Sequence, residues 1–195
     1  VGNILLKLEA GNEFTKVKYP DGRIAYVKNN EIKNFNTWLN ELNPTPASVV
    51  SIAKKFMGIP YLWGGTSAKG FDCSGFTKIV YFLSGAVLQR DASQQVLYGE
   101  LVDTKNDFTN LKQGDLLFFG FKATDTTRER VTHVAIYIGD TEYIHAAGMV
   151  KINSLDSKRQ NYSQFRLSTF LRARRILGSI GTEGIEKISE NNFYR

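Results

Sequence analysis

Between residues 47 and 85 the apolar side chains recur at helical spacing, and from 115 to 177 they run in strand-like stretches. That order constrains the fold more than any other feature. A parallel sheet built from βαβ units needs the two patterns to alternate, whereas helices grouped ahead of strands specify an α+β layout. Val49, Ile52, Ala53 and Phe56 make the first apolar stripe, and Gly58 ends it. Phe76, Ile79, Val80 and Leu83 make the second, stopped by Gly85. "DLLFF" (115–119) reads as a buried strand, "HVAIYIGDTEYIHAA" as a β-hairpin turning at Gly139-Asp140, and "FLRARRIL" as a further strand.

Ahead of the helices, "LLKLE", "FTKVKY" and "RIAYVK" read as short strands, with "PDG" at 20–22 as a turn. Three such strands make part of a small barrel, not a closed one. "NPTP" at 43–46 reads as a linker. Residues 178–195 are polar and weakly patterned and read as a tail. The expected organisation is therefore a small β segment at 1–42, the main domain at 47–177 and a tail at 178–195. At 195 residues and 42% hydrophobic the chain is large and apolar enough for a real core. No window approaches the roughly 18 apolar residues of a transmembrane span. The first residues have neither a basic n-region nor a long apolar h-region, and no initiator Met, so a processed or trimmed chain is expected. Lys plus Arg is 25 against 19 Asp plus Glu, and the balance of +6 favours anionic surroundings. The basic residues are scattered. "RARR" (172–175) lies in a strand-like run without the interleaved aromatics of a nucleic-acid stacking platform, so no nucleic-acid partner is expected.

The only cysteine, Cys73 in "GFDCSGF", cannot close an intrachain disulfide. A lone Cys is by default a small buried hydrophobe. Its neighbours point elsewhere. Asp72 is a good N-cap, which puts the thiol in the first turn of the second helix. There the helix dipole favours a thiolate, and the Cys73 N–H becomes a donor for an oxyanion. A nucleophilic Cys wants an imidazole beside it, and both histidines, His133 and His145, fall in the hairpin. Register decides whether they act together. With Gly139 and Asp140 as a two-residue loop, 133 faces 146 and His145 points to the opposite face. A loop of 138–140 sets 133 opposite 145, so shared function demands an odd loop or a bulge. The same three residues also suit a zinc site with an open fourth position, and the chain could equally be a wall-binding module with an idle thiol. Gly65 and Gly70 have P-loop spacing, but Phe71 and Asp72 stand where Lys and Ser/Thr are required.

"PYLWGG" (60–65), "FDCSGF" (71–76), "LKQGDLLFF" (111–119), "THVAIYIG" (132–139) and "IHAAG" (144–148) come in the order of the NlpC-type family. These are bacterial, papain-like cysteine peptidases that cut cell-wall peptides. The resemblance covers about residues 47–177. The first segment resembles the later strands of a bacterial SH3-like domain, shortened at its start. "YLWGGTSAKGFDCSGF" and "RDAS" (90–93) are similar to the γ-D-glutamyl-L-diamino acid endopeptidase branch, the dipeptidyl-peptidase VI type. The resemblance implies a papain-like α+β domain with an antiparallel sheet. In it Cys73 is the nucleophile, His133 the base, His145 the residue orienting His133, and Tyr61 a helper of the oxyanion. It implies that Trp63, Asp72 and Ser74 line the pocket for a free substrate amine, with Ser93 near it, since the branch has a Ser near residue 92 and Ala92 stands there. It implies no cofactor and no metal. The partner is a peptidoglycan-derived peptide, a monomer is expected, and the place of action is extracytoplasmic in a bacterium. The insertion between Gly120 and Val131 is expected to wall the pocket.

Overall fold

The computed structural model describes residues 2–104 and 107–194. Val1, the first residue of the segment read as 1–42, and Arg195, the last of the segment read as 178–195, lie outside them. The chain divides into two compact units after Leu42. In the first, β1 (Leu6–Ala10), β2 (Phe14–Lys18) and β3 (Ile24–Lys28) form an antiparallel sheet in that order, followed by α1 (Phe35–Glu41). Thr15 and Val17 of β2 are buried while Leu6, Ile24 and Tyr26 are exposed. The helix α1 was not expected from the sequence. Asn34 starts it, its side-chain oxygen accepting from the Thr37 N–H at 3.1 Å.

The second unit begins with α2 (Pro46–Lys54), so "NPTP" is a helix start as well as a joint. Thr45 Oγ1 accepts from the Ser48 N–H at 3.1 Å, Ser48 Oγ accepts from the Thr45 N–H at 2.9 Å, and Pro46 occupies the first helical position. Two orphan donors are thereby satisfied and the φ of the first turn is preset. There follow β4 (Thr66–Ser67), β5 (Gly70–Phe71), α3 (Cys73–Leu83), β6 (Ala86–Leu88), α4 (Ala92–Gln95) and β7 (Glu100–Val102). Next come β8 (Leu116–Phe121), β9 (Arg130–Gly139), β10 (Glu142–Ala147), β11 (Met149–Ser154), α5 (Gln164–Ser168), β12 (Phe170–Arg175) and β13 (Ile185–Lys187). Six strands form one antiparallel sheet in the order β11-β10-β9-β8-β12-β7. The architecture is α+β.

The sheet is buried on both faces at its centre, which is why "LLFF" of β8 is an unbroken apolar run. Leu116 and Phe118 face α3 together with Val134, Ile136 and Ile144; Phe76, Val80 and Tyr81 of the helix close that core. Leu117 and Phe119 face the other way, with Ala135, Tyr137, Tyr143, Leu167 and Phe170. Each such side chain contributes about 1.5–3 kcal/mol of transfer free energy. The buried Asp115, just before β8, ties the end of β12 to the turn that leads into β8, accepting from Arg175 at 2.9 Å and from the Lys112 N–H at 2.8 Å. The arginines of the "RARR" cluster all have acceptors within the chain. Arg172 pairs with Glu129, Arg174 donates to the Val96 and Gly99 carbonyls, and Arg175 holds Asp115.

The segment read as a tail departs from that reading. β13 pairs with β6, and Ile185 and Ile188 are buried in the main core. Two isoleucines in a polar stretch show no periodicity, but β6 offers an open edge and the core accepts both side chains.

Candidate active site

The loop from Pro60 to Phe71 folds onto the start of α3. Leu62 N–H donates to the Phe71 carbonyl at 2.9 Å, Asp72 N–H to the Gly65 carbonyl at 3.0 Å, and Tyr61 N–H to the Gly148 carbonyl at 2.9 Å. The approach is so close that a Cβ on Gly75 would lie 2.1 Å from the Gly65 oxygen, and one on Gly65 would lie 2.4 Å from the Gly70 oxygen. No side chain fits at either place.

Asp72 caps α3. Its Oδ1 accepts from the Gly75 N–H at 2.6 Å, from Ser74 Oγ at 3.3 Å and from Arg90 at 3.2 Å. Its Oδ2 accepts from the Gly64 N–H at 3.1 Å and from Arg90 at 2.5 Å. Burial works to raise this carboxyl, but Arg90 and the Gly75 N–H outweigh it and hold it below the usual range. An ionised carboxylate offers about four acceptor sites, and five donors already surround this one. In the folded chain Asp72 thus acts as cap and ion partner. Ser74 belongs to the same cluster, its hydroxyl accepting from Arg90 at 3.1 Å.

Cys73 follows at 9% exposure. Burial pushes its thiol up, and the Asp72 charge adds to this; backbone hydrogen bonds at Val134 and Ser74 and the Arg166 charge pull the other way without prevailing. The helix start alone suggests a thiolate; burial beside a carboxylate reverses the sign. Val134 is the residue after His133, so the sulfur is seated against β9. Tyr61 is partly buried, and burial and the charges of Cys73 and Asp72 raise its hydroxyl, so it stands near both. Trp63, by contrast, is 86% exposed and is no core aromatic. Ser93 is exposed on α4 and makes no hydrogen bond to the Asp72–Ser74–Arg90 cluster among the described residues.

The hairpin supplies the histidines. Its turn residues are Asp140 and Thr141, both with positive φ (50° and 64°), a two-residue connection shifted by one from the expected place. Gly139 pairs with Glu142, but Tyr137 pairs with Tyr143 and Ile136 with Ile144, so Ile138 is skipped as a bulge. That extra residue moves His145 to the face that carries His133. His133 is not directly opposite His145 but one diagonal step along. His133 Nε2 lies 2.7 Å from His145 Nδ1, and His145 Nε2 lies 2.9 Å from Asn153 Oδ1. Asn153 Nδ2 donates to the Asn161 carbonyl at 2.8 Å. A carbonyl only accepts, so it fixes the amide, and the amide oxygen makes His145 the Nε2–H tautomer. His145 Nδ1 then accepts from His133 Nε2–H, and the lone pair of His133 is left on Nδ1. Burial first, and the Arg166 charge with it, hold His133 well below the ordinary imidazole range. Burial likewise lowers His145 to about 4, although its bond to Asn153 works the other way. Both rings are neutral at neutral pH.

Three of the four ring nitrogens are taken up, His133 Nε2 with His145 Nδ1 and His145 Nε2 with Asn153, which leaves His133 Nδ1 as the one ring nitrogen with a free lone pair. Among the described residues no group of three or more His, Cys, Asp or Glu could hold a metal. Three contributors escaped the sequence reading. Arg90 stands beside the weighed Ser93 in "RDAS" and was legible as a cation near a capping Asp. Asn153 lies in β11, a strand the reading lacked. Arg166 gave no signal at all.

Fold and site thus define an α+β domain that sets one buried thiol at a helix start against a sheet bearing two linked imidazoles. The chain belongs to the NlpC/P60 family, which it matches over residues 58–172. It is 41% identical over 135 residues to a γ-D-glutamyl-L-lysine dipeptidyl-peptidase of Bacillus cereus, covering 67% of this chain and 37% of that one. It is 30% identical over 178 residues to dipeptidyl-peptidase 6 of Lysinibacillus sphaericus, covering 84% of this chain and 58% of the relative. The crystal structure of an NlpC/P60 family protein from Bacillus cereus superposes with a TM-score of 0.68 at 33% identity, over 88% of this chain and 53% of that one. The NlpC/p60 domain of the peptidoglycan hydrolase SagA matches with a TM-score of 0.52 at 32% identity, over 67% of this chain and 98% of that domain. The chain spans 37% and 58% of the length of these two curated relatives. No helix among the described residues is long and apolar enough to cross a membrane.

Proposed function

We propose that this chain is a cysteine peptidase that hydrolyses murein peptides at the bond between γ-D-Glu and an L-diamino acid. The observation that carries it is the fixed chain Asn161–Asn153–His145–His133, which leaves a neutral imidazole lone pair on His133 Nδ1 in the strand against which Cys73 is seated. The relatives named γ-D-glutamyl-L-lysine dipeptidyl-peptidase and peptidoglycan hydrolase support the substrate class.

In this reading Cys73 starts as a thiol, not a thiolate. His133 Nδ1 takes its proton as the sulfur attacks the γ-carbonyl carbon. The Cys73 N–H and the Tyr61 hydroxyl hold the oxyanion. The imidazolium then protonates the leaving amine, and the C–N bond breaks to leave a thioester. Water, deprotonated by His133, attacks the thioester and releases the γ-D-Glu acid and the thiol. His145 and Asn153 position His133; Asp72, Ser74 and Arg90 brace the helix start. Residues 47–177 are the peptidase domain, residues 1–42 are the later strands of an SH3-like domain, and the enzyme works outside the cytoplasm, where murein is.

Mass spectrometry of the products from L-Ala-γ-D-Glu-L-Lys and its meso-diaminopimelate counterpart tests this. Release of L-Ala-γ-D-Glu by the parent and not by Cys73→Ser is expected. Intact peptides after prolonged incubation with folded parent enzyme would sink the reading.

A further inference from the structure

Five arginines are partly buried among the described residues: Arg90, Arg166, Arg172, Arg174 and Arg175. Four have acceptors, in Asp72, Glu129, the Val96 and Gly99 carbonyls, and Asp115. Arg166 has none among the described residues; its hydrogen bonds are those of its backbone, whose N–H donates to the cap Ser163 Oγ at 3.3 Å and whose carbonyl accepts from Thr169 Oγ1 at 3.4 Å. Its guanidinium lies 5.7 Å from the centroid of Phe119 and 5.2 Å from that of Phe165. Phe119 is also the ring beside His133, at 5.9 Å, and the two residues face each other across β8 and β9. A cation–ring contact engages the charge but none of the guanidinium N–H donors, which stay available to a planar acceptor. A second donor without an acceptor is close by. The buried Tyr143 hydroxyl, beside Ser163 but outside hydrogen-bonding geometry, closes no bond and feels the Arg166 charge. Arg166 also acts on the charges of Cys73, His133 and His145, so it stands at the catalytic centre.

An uncompensated, half-buried cation is costly unless an anion arrives to pair with it. We propose that Arg166 is the carboxylate-binding residue of this site, and that its ligand is the free α-carboxylate of the γ-linked D-glutamyl residue. A γ-linkage leaves that carboxylate unblocked, a few bonds from the carbonyl carbon under attack. This rests on the function proposed above and adds the group that reads the γ-linkage.

The test measures binding by calorimetry to Cys73→Ala protein, with L-Ala-γ-D-Glu and its α-carboxamide as probes, while the unmodified enzyme is assayed for cleavage in parallel. The carboxylate probe is expected to bind about ten- to a hundredfold more tightly than the carboxamide, as a charge-assisted hydrogen-bonded pair implies. Adding Arg166→Met should remove that preference with carboxamide affinity unchanged, and Arg166→Lys should keep part of it; circular dichroism checks the fold of each. Equal affinity for the two probes, or a preference that survives Arg166→Met, overturns this inference alone if the enzyme cleaves murein peptides. Neither binding nor cleavage overturns both readings.

Discussion

The two sides of the site are held by opposite means. At the helix start, Asp72 and Arg90 are both charged, and five donors converge on one carboxylate. On the sheet, His133, His145 and Asn153 are all neutral and pass a donor–acceptor direction from ring to ring. The first arrangement fixes backbone, because the carboxylate binds two loop and helix N–H groups at once. The second fixes a tautomer, because each neutral ring can donate only once. In the mechanism proposed above, a cysteine that stays protonated until attack needs a neutral base, and the neutral side keeps one lone pair, on His133 Nδ1, free of a hydrogen bond.

Removing the reacting groups should break the comparison most completely. Cys73→Ser and His133→Ala are each expected to fold and to lose roughly 10³-fold or more in turnover, since the pair acts as a unit. Chelators should leave the parent unaffected; activity lost to chelation and restored by zinc would revive the metal reading.

Acid should separate the two sides. His145 titrates at about 4 when folded against 6.5 in its ordinary state. Between those values the unfolded chain binds a proton that the folded chain refuses, so stability falls as pH drops from about 6.5 to 4, by roughly 3 kcal/mol in total. Asp72 is lowered, so its contribution is present above the ordinary carboxylate range and is lost only as pH falls through its folded value. Denaturant midpoints against pH should show the first loss shrink in His145→Gln, with the remainder owed to His133, whose imidazole is also held low, and the second vanish in Asp72→Asn; an unchanged first loss in His145→Gln would refute the division.

At neutral pH Asp72→Ala should cost about 2 kcal/mol, from the lost cap and a partly exposed ion pair, and Asp72→Asn less, because Asn still caps. Neither should alter the ratio of rates on free-amine and N-acetylated peptides. A collapse of that ratio in Asp72→Asn would support the ammonium role. The smallest effect belongs to Asn153→Ala. It should lower kcat by about three- to tenfold with little change in KM, since it releases a ring that only orients another. Asn153→Asp should raise the His145 pKa, visible in NMR titration.

What was legible follows the same division. Cys73 in the first turn and Asp72 as its cap are local signals, readable from neighbouring residues. That both histidines share a face required a bulge; periodicity could state the condition but could not locate Ile138, because nothing in "YIGDTEY" marks which residue is left over. Arg90 reaches Asp72 from 18 residues away and Asn153 reaches His145 across a strand pair. Such partners become visible only once the register exists. The two buried isoleucines near the end fail for a related reason, being too few to make a pattern.

The bulge also sets a rule for how this hairpin can vary in length. Deleting one residue between His133 and His145, or inserting one, would let the ladder close regularly and would turn one imidazole to the other face while leaving the sheet intact. Changes by two residues keep both rings together and only slide them along the strands. Descendants and engineered versions of this hairpin can therefore lengthen or shorten in even steps, and a single-codon indel there is as damaging as loss of a histidine, although no side chain at the site has been replaced.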